Sequence, residues 1–231
     1  MAFAVNKCGG KRWQTHRDWM VEVEGEGFPM VQPGSERFKY MEQTWNNWGG
    51  EFQRAAKRYG LPVSWLLGIA SIETGFVSSN PDKQRRIVSP AGAQGVMQLM
   101  PFIPGLYGGS AGDRENAALN IDYGAHLISD LARGRTGAEL PHIGSAYNAG
   151  SGSGAAGVHC STGRNEWNLR ADHNYPRQVV EYNNAAIHYL GVNSRVSMWW
   201  ALGGASVALG AAAMLYFYVP GVRHQIDTAT F

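Results

Sequence analysis

The sequence predicts a mainly helical protein in two parts, a helical domain followed by a single C-terminal transmembrane helix. Three observations carry that prediction. Apolar residues recur at three- and four-residue spacing in residues 36–59 and 61–76, the period of a helix with one buried face, and residues 116–133 and 175–190 also read as helix. Glycine and proline punctuate the chain between those segments. Residues 196–219 then run without a charge, long enough to span a bilayer. With 231 residues, 44% hydrophobic and 16% charged, there is room for one sizeable core plus accessories. The net charge of +2 gives no polyanion signature, so a nucleic-acid partner is not suggested.

Residues 1–35 carry mixed charges, Gly25, Gly27, Pro29, Pro33 and Gly34, and weak periodicity. They read as an extended arm or loose subdomain outside the core, with no legible role. Met1–Val5 is apolar but short, and Lys7, Lys11 and Arg12 follow, so no secretory leader is expected. Cys8 and Cys160 are the only cysteines and lack metal-ligand spacing; a disulfide and two free thiols both remain compatible. From Glu36 to Tyr59, Phe38, Met41, Trp45, Trp48 and Phe52 fall at helical spacing, with a break at Gly49-Gly50. This predicts a pair of core-packing helices, with a sugar-binding aromatic platform as the rival reading.

Leu61–Phe76 predicts a buried helix, with Pro62 in its first turn and Gly75 at its C-terminal cap. Trp65, Ile69, Ile72 and Phe76 share one face, and Glu73 is the only charged residue between Leu61 and Asp82. A lone acid there costs free energy unless paired or protonated. The C-terminal end of a helix carries roughly half a negative charge, which disfavours ionisation, and apolar neighbours push the same way. A carboxyl kept protonated near neutral pH suits general-acid catalysis on a glycosidic oxygen. The alternative is a structural Glu bonded to loop backbone.

Residues 77–88 form a polar loop containing Pro81, Asp82 and the run Lys83-Gln84-Arg85-Arg86, expected at the mouth of a cleft. Ser89–Pro101 is a glycine-punctuated turn leading into a short apolar segment, and Gly105–Gly112 a glycine-rich connector. Asn116–Arg133 is a helix. A further helix over Pro141–Tyr147 leads into Ala146-Tyr147-Asn148-Ala149-Gly150, which presents an aromatic hydroxyl and an amide. Gly150–Gly157 is low-complexity, a plain insertion or a lid. Tyr175–Leu190 returns to helix.

Residues 196–219 are different in kind. Trp199, Trp200, Tyr216 and Tyr218 mark the ends as interfacial aromatics do, and Arg195 and Arg223 flank them. Gly204, Ala208 and Ala212 place small residues four apart. This predicts a membrane span over residues 196–219 rather than a buried central helix.

Four of these segments together resemble the soluble lytic transglycosylase family, whose catalytic domain has a goose-lysozyme-like fold. Glu73-Thr74-Gly75-Phe76 resembles its catalytic Glu-Ser/Thr motif, and Gly95–Pro101 its Gly-Leu-Met-Gln-Leu-Met-Pro motif. Ala146–Gly150 matches Ala-Tyr-Asn-Ala-Gly without a mismatch. Asn120-Ile121, Gly124-Ala125 and Leu127 are similar to the intervening family helix. Asn174–Tyr182 resembles a later segment in which a Tyr precedes a Val-rich helix. There the family places a Glu four residues before the Tyr, whereas this chain has Ala171, next to Asp172. That departure bears on subsite affinity more than on chemistry.

The resemblance implies residues 36–194 as the catalytic domain, peptidoglycan as substrate, and no metal or organic cofactor. It implies Glu73 as the single catalytic acid, and Ser89, Gln98, Met100, Tyr147 and Tyr175 along the saccharide subsites. On this reading Tyr147 tunes Glu73 and Asn148 holds its loop. The run at residues 83–86 reads as a solvated loop, with cations that meet lactyl or peptide carboxylates as the rival reading. A muramidase-type hydrolase would need a second acid, for which Asp82 is nearest in sequence. A non-catalytic channel component is the other rival. A catalytic domain ahead of a membrane span, with no leader expected, suggests a bacteriophage virion component that acts with other ejection proteins on the host envelope. A bacterial membrane-anchored enzyme is the runner-up.

Overall fold

The structure is a computed structural model that describes residues 11–75, 78–134, 139–149 and 174–201, the last ten by backbone alone. Residues through Ile187 form one compact unit and those from His188 a second. The chain opens with an antiparallel hairpin, β1 Trp13–Thr15 and β2 Val21–Val23, with Trp13 opposite Val23 and Thr15 opposite Val21. Helices α1 Glu36–Tyr59 and α2 Val63–Ala70 follow, and α2 passes into a π-helical turn at Ser71–Gly75. Then come α3 Pro81–Arg86, α4 Ile103–Leu106, a 3-10 turn at Ala111–Glu115 and α5 Ala117–Arg133. Helices α6 Leu140–Ala149 and α7 Tyr175–Ala201 complete the described chain.

The centre is α2. Every residue from Ser64 to Ala70 is buried, so this helix is apolar all round, as expected of one enclosed by neighbours. Fully burying each Leu or Ile is worth about 1.5–3 kcal/mol, and Leu66, Leu67 and Ile69 are completely covered. Packing against α1 and α5 encloses two sides. Helix α7 closes a third. A Cβ on Gly68 would stand 3.2 Å from the Asn183 backbone nitrogen, so the glycine lets the two backbones meet.

Helix α1 begins at Ser35, whose side chain accepts from the Phe38 N–H, and ends at Gly60 in the left-handed conformation (φ 66°). It runs unbroken through Gly49-Gly50, where a break was expected. A Cβ at Gly49 would lie 2.9 Å from the Trp45 ring, so that glycine makes room for an aromatic. The buried face of Phe38, Met41 and Phe52 outweighs the helix cost of about 1 kcal/mol per glycine.

The N-terminal segment differs most from expectation. Residues 11–31 are not an extended arm outside the core: Trp13, Val21, Val23 and Val31 are all buried. Their apolar side chains are few and their strands three residues long, so periodicity is too weak to show in sequence. Residues 81–86, expected as loop, form α3, started by Asn80 accepting from the Asp82 and Lys83 N–H groups. Among the described residues no helix is long and apolar enough to cross a membrane. The expected span over 196–219 lies outside them from residue 202, with α7 described only to Ala201. Cys8, Ala171, Asp172, Cys160 and the segment Gly150–Gly157 are also outside the described residues.

Candidate active site

Glu73 sits in the π-helical turn that ends α2. Such turns widen the helix by one residue and recur at functional sites. Two buried hydroxyls hold this one. Ser71 Oγ donates to the Leu67 carbonyl (2.6 Å), and Thr74 Oγ1 lies 3.2 Å from the Ala70 carbonyl and 3.3 Å from the Val96 carbonyl. Hydroxyls bonded back four residues bend helices, and Thr74 ties the turn to the loop after residue 94. The single α-helix expected over 61–76 therefore changes geometry where the acid stands.

That loop, residues 87–101, is shaped by two buried side chains. Asn120 of α5 accepts from the Met97 N–H (2.7 Å) and donates to the carbonyls of Gln94 (2.9 Å) and Arg114 (3.0 Å). Arg114 donates to the carbonyls of Gly92 (2.7 Å), Leu99 (3.0 Å) and Ala111 (2.8 Å). Gly95 is left-handed (φ 86°), and Gly124 of α5 faces Met97 so closely that a Cβ would lie 2.8 Å from its Cγ. The motif glycines are thus explained by close approach. Arg114 was missed at the sequence level, since nothing in the sequence shows that a charged side chain spends its donors on loop carbonyls.

The two tyrosines arrive from different helices. Tyr147 of α6 donates its hydroxyl to the Met97 carbonyl at 2.6 Å. Tyr175, the first residue of α7, donates to Glu73 Oε1 at 2.5 Å. The hydroxyl on the acid is therefore Tyr175's and not, as expected, Tyr147's, whose reach is taken up by the loop. Gln98, Met100 and Tyr147 line one cleft, together with Phe102, Ile103 and Leu127. Gln98 also donates to the carbonyls of Ile87 (3.1 Å) and Gly95 (3.0 Å), which hold its left-handed backbone (φ 45°). Ser89 is outside that lining: its Oγ accepts from the Ala93 N–H at 3.1 Å and closes the preceding turn. Asn148 is exposed near the end of α6.

Burial raises the Glu73 carboxyl to about 7, and the Tyr175 hydroxyl opposes that rise. The dominant cause is desolvation, as the apolar helix suggested. Burial likewise pushes both tyrosines well above 10, with the Glu73 charge adding to it, so both stay neutral donors. Asp82 stands apart. Its side chain is 71% exposed and pairs with Arg85 at 2.9 Å. Arg85 and Arg86 also pair with Glu115, at 3.3 and 3.1 Å, so these cations already have acidic partners. Exposed pairs of this kind are worth about 0–1 kcal/mol and leave the cations free to exchange partners.

Because Tyr175 favours the ionised acid, Tyr175→Phe is expected to raise the Glu73 pKa above its present value of about 7. A titration of the carboxyl by NMR should show its midpoint moved to higher pH. An unmoved midpoint would show that the bond does not act on the titration.

The helical domain thus holds one desolvated carboxyl bonded by Tyr175 and an apolar-walled cleft whose lining includes Tyr147 but not Glu73. Residues 50–169 match the family model of the transglycosylase SLT domain, and the chain belongs to that family. Glu73, Ser89, Gln98, Met100, Tyr147 and Asn148 fall inside the match, while Tyr175 and the hairpin fall outside it. Among solved structures, the chain is similar to an inactive mutant of the lytic transglycosylase Slt from Pseudomonas aeruginosa, at 24% identity and a TM-score of 0.46. The similarity covers 62% of this chain and 24% of that one, so it spans about a quarter of that protein's length. No curated protein matches the chain.

Proposed function

We propose that the protein is a peptidoglycan lytic transglycosylase, cleaving the β-1,4 bond between N-acetylmuramic acid and N-acetylglucosamine. The observation that carries this is Glu73 itself: a carboxyl with a pKa of about 7, bonded by Tyr175 and inside the family match. An acid with that pKa is well placed both to give and to take a proton near neutrality. Glu73 donates its proton to the leaving glycosidic oxygen as an oxocarbenium-like centre develops at C1. The substrate's own N-acetyl group assists. The resulting carboxylate accepts a stronger hydrogen bond from Tyr175, since charge-assisted bonds are roughly twice as strong as neutral ones. Glu73 then takes the proton of the C6 hydroxyl, whose oxygen closes onto C1 as a 1,6-anhydro ring. The acid is restored and no water is consumed. Gln98, Met100 and Tyr147 bind the strand along the cleft they line.

The test is the product. Purified sacculi digested by the protein should yield 1,6-anhydromuramic ends, about 18 mass units lighter than hydrolysed ends because no water is added. Reducing muramic ends alone would overturn the reading in favour of hydrolysis, for which Asp82→Asn is then the variant to examine.

The finer placement belongs to the same proposal. A glycan-cleaving domain followed by the charge-free residues 196–219, with aromatic ends and small residues at Gly204, Ala208 and Ala212, suits an envelope-spanning conduit assembled with other ejection proteins. The protein then travels in a bacteriophage virion and opens the host wall during genome delivery. Mass spectrometry of purified particles checks this: absence from virions, with presence in an uninfected cell's envelope, overturns it.

A further inference from the structure

The hairpin lies outside the family match, yet it contacts α2, the start of α6 and α7. On one side it is anchored to α2 and to the start of α6. Trp19 sets its ring edge-on to Trp65, with centroids 5.6 Å apart. Trp13, fully buried, donates Nε1–H to Glu139 Oε2 at 2.9 Å, and its ring meets His142 edge-on at 5.1 Å. On the other side it holds α7. Asn184 accepts from the Val21 N–H and donates to the Val21 carbonyl, both at 2.8 Å, so its amide pairs with β2 as a neighbouring strand would. The same amide also donates to the Pro29 carbonyl at 2.8 Å.

Further ties run along α7 toward its first turn. Asn183 donates to the Trp19 carbonyl (2.9 Å) and lies 2.8 Å from Ser64 Oγ of α2, joining hairpin, α7 and α2 at one side chain. The Val31 N–H donates to the Glu181 carbonyl at 3.2 Å. Arg177 bonds Glu26 at 3.0 Å and Glu181 at 2.9 Å, two residues from Tyr175. Trp19 is left-handed (φ 69°), a conformation a bulky residue holds only when its surroundings over-determine it.

Apolar packing between α7 and its neighbours fixes their separation. Interdigitated side chains resist large slides along the helix axis, and the hydrogen bonds from the hairpin, which weaken steeply with misalignment, further fix that axial coordinate. Tyr175 depends on it, since its bond to Glu73 is made by the first residue of the helix.

We propose that the hairpin of residues 11–31 is a brace that sets the axial position of α7 and so holds the Tyr175 hydroxyl on Glu73, with Asn184 and Arg177 as positioning residues. The proposal rests on the reading of Glu73 as the catalytic acid, but its test does not require turnover. Among the described residues, the titratable groups acting on Glu73 are Tyr175 of α7 and Tyr147 of α6. No other ionisable residue lies in the π turn or in residues 94–99 of the loop.

The full chain, labelled with 13C at the glutamate carboxyl, is titrated by NMR, and the Glu73 signal is identified by its loss in Glu73→Gln. Asn184→Ala and Glu26→Gln should each move the Glu73 titration to higher pH, by about half a unit, in the same direction as Tyr175→Phe. In the Tyr175→Phe background neither should move it further. If Asn184→Ala does not fold, Glu26→Gln decides, because removing a negative charge by itself would lower the Glu73 pKa. An unchanged titration, a shift to lower pH, or a shift additive with Tyr175→Phe overturns the brace. Failure of the wild-type chain to cleave sacculi, with these shifts intact, overturns the proposed function and leaves the brace standing.

Discussion

Glu73→Gln is expected to lose at least about a hundredfold in glycan cleavage, because an amide cannot supply the proton and positioned acid–base groups contribute typically 10²–10⁴-fold. The same substitution should stabilise the fold at neutral and alkaline pH. The Glu73 pKa rises from 4.5 in the unfolded chain to about 7 in the native one, so between those values the native state binds more protons. Stability therefore falls as pH rises from 4.5 to about 7, and the full penalty applies above that. At about 1.36 kcal/mol per unit the penalty is at most about 3 kcal/mol, since the residue keeps partial exposure. Gln retains an acceptor for Tyr175 and carries no charge. Thermal melts should show Glu73→Gln matching wild type at pH 4 and melting several degrees higher at pH 8. Near-normal turnover of sacculi would sink the single-acid mechanism, and equal melting at pH 8 would show that Glu73 is not desolvated.

Gly95→Ala is expected to have the largest effect on stability. The residue is left-handed (φ 86°), and a Cβ there would stand 2.4 Å from Asn120 Nδ2 and 2.5 Å from the Arg114 carbonyl. Neither neighbour can give way cheaply. One is backbone, and the other is the fully buried amide that satisfies the Met97 N–H. Backbone strain of about 1–2 kcal/mol, overpacking of about 1–3 and a compromised buried N–H of about 1–3 act together. The melting temperature should drop on the order of 10 °C. KM for glycan oligomers should rise as well, because Gln98 and Met100 line the cleft on the same loop. A melting point within about 2 °C of wild type would mean that Asn120 does not set the loop.

Local signals were legible wherever a property belongs to one segment. The spacing of Phe38, Met41 and Phe52, the continuous burial of α2 and the amphipathic Asn116–Arg133 stretch all reach the page because a helix repeats its face every few residues. The lone charge at Glu73 in an apolar run was enough to expect a desolvated acid. Gly49-Gly50 misled, because a glycine kept for a neighbouring ring looks in sequence like one kept for a break.

Taken alone, then, the sequence determined the buried helix α2, the helix α5 and a lone acid in an apolar run, since periodicity, turn chemistry and an unpaired charge are written within a few residues of one another. Only the tertiary structure decided which hydroxyl reaches Glu73, that Arg114 and Asn120 hold the Met97 loop, and that residues 11–31 are bonded to α7. Trp13 and Glu139 are 126 positions apart, and Val21 and Asn184 are 163 apart. A hydrogen bond between such residues depends on how packed helices bring the chain back on itself, and no local pattern of polar or apolar residues encodes that distance.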